Sequence, residues 1–353
     1  MTLSLCMIVR DEGAVLGRCL QSAAPLCDEI VVADTGSKDD TKKIALSFTD
    51  KVFDFAWRQD FAAARNFAFA QAKGDYLLWL DADEVLLPRD AQALRALKER
   101  LRADACRLRT EIPDGRGGVA LAFERVRIVR KEAGFLWHGR VHEYIAAGGD
   151  VARADIAVTH LGGSKRDPFR NLKIFARAFA SGEAPDARQT YYFARELLDC
   201  GMPRTAAGAF EHFLRGEGWA EDKIAACEAL SRCRAACGDG AGCERALLRA
   251  FACAPPRAET CCALGDCLRE AGRFADAAFW YRLAVRVGPT RSGGFARPDC
   301  GGFIPCLWLC VCHYALGDAR AAAAWNERAA QYKPQDESVL HNRTFFDRLF
   351  SEK

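Results

Sequence analysis

Several features of membrane, secreted and nucleic-acid-binding proteins are missing from this 353-residue sequence. It has no run of about 18 uninterrupted apolar residues, and residues 1–10 are too short and lack the basic lead of a signal peptide. Lysine and arginine number 50 against 47 aspartates and glutamates, which gives no charge argument for nucleic-acid binding. We therefore expect a cytoplasmic protein with no transmembrane segment and no nucleic-acid partner.

The spacing of zinc knuckles is also absent, although the chain has 17 cysteines. No two Cys-x-x-Cys pairs stand at zinc-binding spacing. Cys306, Cys310, Cys312 and His313 come nearest, because i, i+4 spacing brings two thiols together on a helix. A metal site is one interpretation of this cluster. We favour the other, in which these thiols are small, reduced packing residues.

Residues 1–165 alternate short apolar runs with amphipathic segments, as in a sheet flanked by helices. The order β-α-β-α-β-α-β predicts a parallel, doubly wound α/β core of Rossmann type. We expect Gly74 to end the third helix as its C-cap, and further strands at 105–109 and 124–130. The predicted core strands are 3–9, 29–34, 51–55 and the segment that ends at 81–83, and the helices between them are 12–23, 41–48 and 60–73.

From residue 166 the strand pattern stops and Ala-rich helix pairs follow. Pro255 and Pro289 are 34 residues apart, as are Gly238 and Gly272, and this is the period of tetratricopeptide repeats. The sequence thus predicts an α/β domain at 1–165 and an all-α repeat domain at 166–353, with an inserted loop at 288–305. A long loop in a repeat array is a functional element or a tolerated insertion, and we favour function.

The most informative segment is an apolar strand that ends in Asp81-Ala82-Asp83. In an extended chain, alternate side chains lean to one side, so these two carboxylates could share a divalent cation. Ligands bind beyond the carboxyl ends of strands in open α/β sheets, and a cation there could carry the diphosphate of a nucleotide-sugar. The segment therefore predicts a sugar transferase. The simpler alternative is that the aspartates cap the next helix.

Five segments together resemble family 2 glycosyltransferases of the GT-A fold. They are residues 5–12 (LCMIVRDE), 28–37 (DEIVVADTGS), 57–66 (WRQDFAAARN), 79–84 (WLDADE) and 139–143 (GRVHE). The whole chain is similar to the branch that fuses this domain to tetratricopeptide repeats, which includes the S-glycosyltransferase of sublancin-type peptides. The resemblance implies an inverting, metal-dependent hexosyltransferase that moves a hexose from a nucleotide-sugar, with UDP as the expected carrier, to a peptide or protein hydroxyl or thiol.

The resemblance also implies which residues bind the donor. The loop at 9–12, with Arg10 and Glu12, and Asp34 after the second strand are expected to hold the nucleoside. A carboxylate such as Asp34 can accept from the imide N–H of uracil, although it could instead cap the next helix. Arg65 and Asn66 are expected near the sugar-phosphate, but from composition alone they could be solvated helix residues.

Within the Asp-x-Asp motif, the resemblance places Asp81 near the ribose and Asp83 on a metal ion. His160 follows an apolar, strand-like run and matches a position that supplies a further metal ligand in many GT-A enzymes. Oxygen ligands and a diphosphate suit Mg²⁺ or Mn²⁺, and an imidazole favours Mn²⁺. The alternative for His160 is a structural hydrogen bond.

Transfer also needs a base that takes the proton from the attacking group. Glu143 is the candidate base, with His142 as a competitor that could instead bind the diphosphate. Gly139 would let the backbone approach a bound sugar, and Trp137 offers an apolar face for it. Because the family inverts, we expect a single displacement without a covalent glycosyl-enzyme.

Three questions stay open at the level of sequence. The acceptor could be a surface glycan or a lipid-linked sugar rather than a peptide. The chain could also be a scaffold that binds a nucleotide-sugar without turnover. Homodimerisation through the repeats is possible, and neither the hexose nor the attacking atom can be assigned.

Overall fold

The computed structural model describes residues 1–163, 167–289 and 294–351, which form two compact units, Met1–Ala184 and Pro185–Lys353. The predicted domain boundary between residues 165 and 166 lies outside the described residues. In the described part of the chain, every helix is too short or too polar to cross a lipid bilayer.

The first unit is a mixed α/β structure. Its strands are β1 (Leu3–Val9), β2 (Glu29–Asp34), β3 (Val52–Asp54), β4 (Tyr76–Trp79), β5 (Glu84–Val85), β6 (Ala105–Pro113), β7 (Val119–Arg130), β8 (Trp137–His138), β9 (Tyr144–Ile145) and β10 (Val151–His160). Its α-helices are α1 (Leu16–Ala23), α2 (Thr41–Leu46), α3 (Phe61–Gln71), α4 (Pro88–Arg100) and α5 (Arg170–Ala180).

Eight strands form one sheet in the order β3-β2-β1-β4-β7-β6-β10-β5, and β8 and β9 pair separately. The first four strands of this order are parallel, whereas β7 runs antiparallel to both β4 and β6. The predicted doubly wound, mostly parallel core is confirmed. The carboxyl ends of β1, β2 and β4 consequently meet at one edge of the sheet, which is where ligands bind in such folds.

Strand β1 explains why the core forms. It is a near-continuous apolar run because helices cover both faces of the sheet. Leu5 and Met7 pack in one apolar cluster with Leu16 and Leu20 of α1. The alternate residue Cys6 packs on the opposite face, in the cluster that contains Trp79 and Phe69.

Gly74 does not cap α3 as the sequence suggested. The helix ends at Gln71, and its C-cap is Ala72 in an extended conformation. Gly74 instead lies against β1, where an added Cβ would stand 2.6 Å from Ser4 Oγ and 2.9 Å from the Ser4 backbone nitrogen. The glycine is therefore required by a close approach between chain segments rather than by a turn.

The second unit is a series of antiparallel helix pairs. Glycines between paired helices have positive φ, 77° at Gly238 and 74° at Gly272, which is the usual way to end a helix. Helix α9 begins at Gly240 and α11 at Phe274, 34 residues apart, so the tetratricopeptide-like prediction is confirmed. The helices are α6 (Ala187–Asp199), α7 (Pro203–Arg215), α8 (Ala220–Ala236), α9 (Gly240–Leu248), α10 (Ala258–Glu270), α11 (Phe274–Val287), α12 (Phe303–Ala315), α13 (Ala319–Ala330) and α14 (Glu337–Ser351).

The loop predicted at 288–305 lies partly outside the described residues, which omit 290–293. Its later part contacts α10. The backbone N–H of Arg297 donates to Glu259 Oε1 at 3.0 Å, and the Cys262 thiol donates to the Cys300 carbonyl at 3.5 Å. The functional role of this loop stays a prediction.

The thiols of α12 do not converge on one point. Cys306, Cys310 and Cys312 are buried in three separate apolar clusters. Burial raises the pKa of each thiol to about 11. This arrangement fits small packing residues, and the remaining cysteines are likewise free thiols, most of them buried.

Candidate functional site

A cleft with a volume of about 640 Å³ opens in the first unit. The loop after β1, the residue after β2, the Asp81-Ala82 step and the segment 141–143 form part of its lining. Helix α5 also contributes to it. The cleft therefore lies at the edge of the sheet where the parallel strands end.

Arg65 is the central side chain of this cleft. Helix α3 is capped by Asp60, whose Oδ1 accepts the Ala63 N–H at 2.9 Å, and Arg65 stands within its first two turns. Its Nη2 donates to Asp81 Oδ1 at 2.7 Å, and its Nε donates to Glu143 Oε1 at 2.6 Å. Since the Arg65 side chain is only 6% exposed, it is not a solvated helix residue.

Two aromatic rings hold the Arg65 guanidinium in place. Its central carbon lies 4.7 Å from the ring centroids of both Trp79 and Trp137, within range of cation–π attraction. Burial opposes the charge of Arg65, but Asp81 and Glu143 raise its pKa. Burial also opposes ionisation of Asp81, yet the nearby guanidinium of Arg65 holds that pKa well below its usual value.

Asn66 and Trp137 lie behind Arg65 rather than in the cleft. The Asn66 amide donates to the Trp137 carbonyl at 3.0 Å, and its oxygen accepts the Trp137 N–H at 2.8 Å. Trp137 is buried, and its ring centroid is 4.8 Å from that of Trp79. The Arg65 guanidinium lies over one face of the Trp137 ring. These two residues therefore support the position of Arg65.

Asp34 is buried at the end of β2, and its two carboxylate oxygens differ. Oδ1 accepts the N–H groups of Gly36 and Ser37, each at 2.7 Å, so one oxygen closes the loop after β2. Asp34 does not cap the next helix, as the alternative interpretation had it, because α2 begins at Thr41 with Asp40 as its N-cap. Oδ2 is buried and accepts no hydrogen bond from any described residue. An acceptor held in this way suits a ligand N–H, because leaving it unpaired costs free energy.

The two residues expected from the loop at 9–12 have different environments. The Glu12 N–H donates to Thr41 Oγ1 at 2.7 Å, and Glu12 is buried. Arg10 is exposed, with Nε 3.7 Å from Asp11 Oδ2. Both line the cleft.

The Asp81-Ala82-Asp83 segment is a turn, which corrects the extended geometry expected from the sequence. Strand β4 ends at Trp79, and the Glu84 N–H donates to the Asp81 carbonyl at 3.1 Å. The Glu84 side chain closes the turn by accepting the Asp81 N–H at 2.9 Å. The two aspartates consequently have different neighbours, because Asp81 contacts Arg65 whereas Asp83 lies near His160.

The structure brings the two predicted metal ligands together. His160 Nδ1 is 3.4 Å from Asp83 Oδ1. A Cβ added to Gly163 would stand 3.0 Å from Asp83 Oδ2 and 3.3 Å from Glu12 Oε2, so the two carboxylates converge on this point. No three His, Cys, Asp or Glu side chains of the described ranges form a metal-binding group. The donor set of Asp83 and His160 fits Mn²⁺ or Mg²⁺ if a diphosphate and water complete the shell.

Glu143 and His142 both line the cleft, on the segment after β8. His142 has a φ of 53°, a conformation that is uncommon for residues other than glycine and that often marks functional sites. Gly139 has a φ of 91°, a backbone conformation that favours glycine, so the turn at this position requires this residue. The two candidate bases are thus adjacent in the cleft.

Sequence reasoning missed several cations of the cleft. Arg125 of β7 and Arg170, Lys173 and Arg177 of α5 line it. The α5 cations stand at i, i+3 and i+7, a spacing that places side chains on one helical face. This spacing is visible in the sequence, but the predicted boundary places the helix in the repeat domain.

Comparison with known proteins identifies the first unit. Residues 4–145 match the model of a family described as glycosyl transferase family 2. A "TPR repeat-containing protein" of Synechococcus elongatus is 54% identical over 84 residues, which cover 24% of this chain and 21% of that protein. Residues 4–145 are thus similar to family 2 glycosyltransferases, and the structure has helical repeats in the second unit.

Two further relatives carry glycosyltransferase names. The "SPbeta prophage-derived glycosyltransferase SunS" of Bacillus subtilis is 30% identical over 148 residues, covering 40% of this chain and 34% of that protein. The "Lipopolysaccharide core biosynthesis glycosyltransferase LpsC" of Rhizobium meliloti is 35% identical over 106 residues, covering 29% and 37%. The chain thus spans well under half the length of these curated relatives.

Proposed function

We propose that this chain, whose residues 4–145 belong to glycosyl transferase family 2, is an inverting hexosyltransferase that uses a UDP-sugar and modifies a peptide or protein. One observation carries the proposal. A buried arginine bridges Asp81 and Glu143 in a cleft at the carboxyl ends of parallel strands. That site lies within the unit that matches the family.

The donor would bind along the loops after β1 and β2. Asp34 Oδ2 is the proposed acceptor for the uracil N–H, and Arg10 and Glu12 would flank the nucleoside. Asp81 would accept from the ribose, and Arg65 would fix the orientation of Asp81. The buried, unpaired Oδ2 of Asp34 supports this assignment.

Asp83 and His160 would hold the metal ion, Mn²⁺ or Mg²⁺. When bound, such an ion stabilises the negative charge on a departing nucleoside diphosphate. The 3.4 Å separation of Asp83 Oδ1 and His160 Nδ1 supports the pairing of these two residues.

Glu143 would act as the base. Arg65 binds Oε1 of Glu143, so Oε2 is the proposed acceptor of the proton from the attacking hydroxyl or thiol. The bond from the acceptor oxygen or sulfur to the anomeric carbon forms as the bond to the diphosphate breaks, with inversion. His142, next in the chain, is the second candidate base.

An assay of nucleotide release tests the proposal. The protein is incubated with UDP-glucose, UDP-galactose and UDP-N-acetylglucosamine, with Mn²⁺ or Mg²⁺, and UDP release is measured, with water as the acceptor of the hexosyl group. We expect metal-dependent release that EDTA abolishes and that Asp83→Ala reduces by about 100-fold. The control is Arg89→Gln, at an exposed position of α4 outside the cleft.

Folded protein that releases no nucleotide from any of these donors would contradict the proposal. Tight UDP binding without turnover would support the scaffold interpretation instead. Equal rates for Asp83→Ala and the native protein would remove Asp83 from the metal site.

The acceptor class rests on similarity and on the repeats. Similarity to SunS over 148 residues, together with helical repeats, which commonly bind extended chains, favours a peptide or protein. Similarity to LpsC favours a surface glycan as the second candidate. Transfer to a peptide library and to a glycan array, measured in parallel, separates the two. Homodimerisation and a cytoplasmic location stay predictions.

A further inference from the structure

The charges that line the cleft are divided unevenly. The sheet side carries four carboxylates, among them Asp81 and Glu143, and three arginines, among them Arg65. The α5 side carries three cations and one carboxylate, Asp167. The α5 side of the cleft is therefore net positive, whereas the sheet side is net negative.

The three α5 cations share one face of that helix. Arg170, Lys173 and Arg177 stand at i, i+3 and i+7, a spacing that lines up side chains along the axis. Ile174 and Phe175 of the same helix are buried. The helix is thus anchored by its apolar residues while its cations line the cleft.

Arg170 reaches the part of the cleft that contains Arg65. Its guanidinium carbon lies 4.9 Å from the ring centroid of Phe61, and Phe61 precedes Arg65 by one turn of α3, about 6 Å along the axis. The charge of Arg65 is already matched by two carboxylates, Asp81 and Glu143. Arg170 therefore brings a further cationic group to the part of the cleft that contains Arg65.

The other two cations can be engaged by a ligand. Lys173 pairs with Asp167 at 2.7 Å, but their side chains are 60% and 46% exposed, and exposed pairs are weak. Arg177 is exposed and makes no ion pair with a described residue. Both charges therefore remain accessible from the cleft.

We propose that the face formed by Arg170, Lys173 and Arg177 binds the diphosphate of the nucleotide-sugar, which makes α5 part of the donor site. The assignment rests on the proposed function and extends it to a helix outside the matched residues 4–145. Guanidinium groups bind phosphate oxygens through paired, charge-assisted hydrogen bonds. A cationic face in a cleft whose other side is net negative also orients the donor, with its diphosphate toward α5.

The test compares UDP with uridine, which lacks the phosphates. Affinities are measured by titration calorimetry for the full chain and for Lys173→Gln, Arg177→Gln and the control Arg89→Gln. We expect each α5 variant to bind UDP about tenfold more weakly, as for loss of one charge-assisted contact, with uridine affinity unchanged. Arg177→Lys, which keeps the charge, should recover part of the loss.

The outcomes separate this inference from the proposed function. If the native protein binds UDP and both α5 variants bind it with the same affinity as Arg89→Gln, the role of α5 is overturned. The transferase proposal then stays intact. Equal losses for UDP and uridine would also overturn it. A native protein that binds no UDP would overturn the proposed donor, and the inference with it. Circular dichroism confirms that each variant is folded.

Discussion

Two buried arginines contact the ring of Trp79, and their surroundings differ. One has only buried side-chain partners, whereas the other binds carboxylates at the cleft. Arg127 of β7 is fully buried, lies 3.8 Å from the Trp79 ring centroid and donates to both oxygens of Glu84 and to Thr110 Oγ1. Arg65 contacts the same ring, but its partner Asp81 is 30% exposed.

The comparison shows that burial of a charge does not by itself mark a site. All the side-chain partners of Arg127 are buried, and Arg127 does not line the cleft. Arg65 holds two carboxylates at the cleft surface. Glu84 connects the two regions, because its carboxylate accepts from Arg127 and from the Asp81 N–H. A structural ion pair therefore supports the turn that carries Asp81.

The largest effect should come from breaking the structural pair. We expect Arg127→Leu to lower the free energy of unfolding of the first unit by about 3–5 kcal/mol, because it leaves the buried Glu84 carboxylate without its partner. Denaturant unfolding followed by tryptophan fluorescence measures the loss. Adding Glu84→Gln should recover most of it, and an unchanged midpoint in Arg127→Leu would contradict the buried pair.

Replacing Arg65 should change the free energy of unfolding less than replacing Arg127. Its main effect should be on the rate of turnover. We expect Arg65→Leu to reduce UDP release at saturating donor by about 100-fold, because Asp81 and Glu143 lose the charge that orients them. The loss of stability should be smaller than for Arg127→Leu, since water in the cleft can solvate the two carboxylates.

The conservative change Arg65→Lys provides the matched control. It keeps the charge but cannot make the two-sided contact of a guanidinium, so its rate should fall between the native and leucine values. Full activity in Arg65→Leu would show that both arginines are structural and would remove the distinction.

The smallest effect should come from the support behind Arg65. Asn66→Ala should cost about 1–2 kcal/mol of stability, because the Trp137 N–H and carbonyl lose their partner. Asn66→Asp keeps the acceptor for the Trp137 N–H but sets an acceptor oxygen against the Trp137 carbonyl, so it should lose at least as much as Asn66→Ala. Both are measured by denaturant unfolding, and an unchanged midpoint in Asn66→Ala would mean that the two hydrogen bonds do not support Trp137.

The sequence predicted the alternation of strands and helices in the parallel core, because short, mainly apolar runs are separated there by helix-length segments. The 34-residue spacing of Gly238 and Gly272 predicted the helix pairs for the same reason, since turn chemistry recurs at a fixed period. Both are local patterns, which a sequence displays directly.

The site was harder to predict because it depends on contacts between distant segments. The turn at 81–84 is closed by the Glu84 carboxylate, and a strand pattern cannot show that a side chain folds back on its own backbone. An arginine in a strand, such as Arg127, is expected to face solvent until Glu84 is known to lie beside it. Helix α5 has a clear period, but periodicity does not tell which unit a helix joins.

The buried thiols have a practical consequence. Cys19 and Cys106 of the first unit and Cys261 and Cys306 of the second are shielded from solvent, and burial raises the pKa of each. An alkylating reagent that reacts with thiolates will therefore leave them unmodified until their own unit opens, whereas the exposed Cys237 should react at once. Mass spectrometry of labelled peptides can thus follow the opening of each unit separately, without any introduced tag.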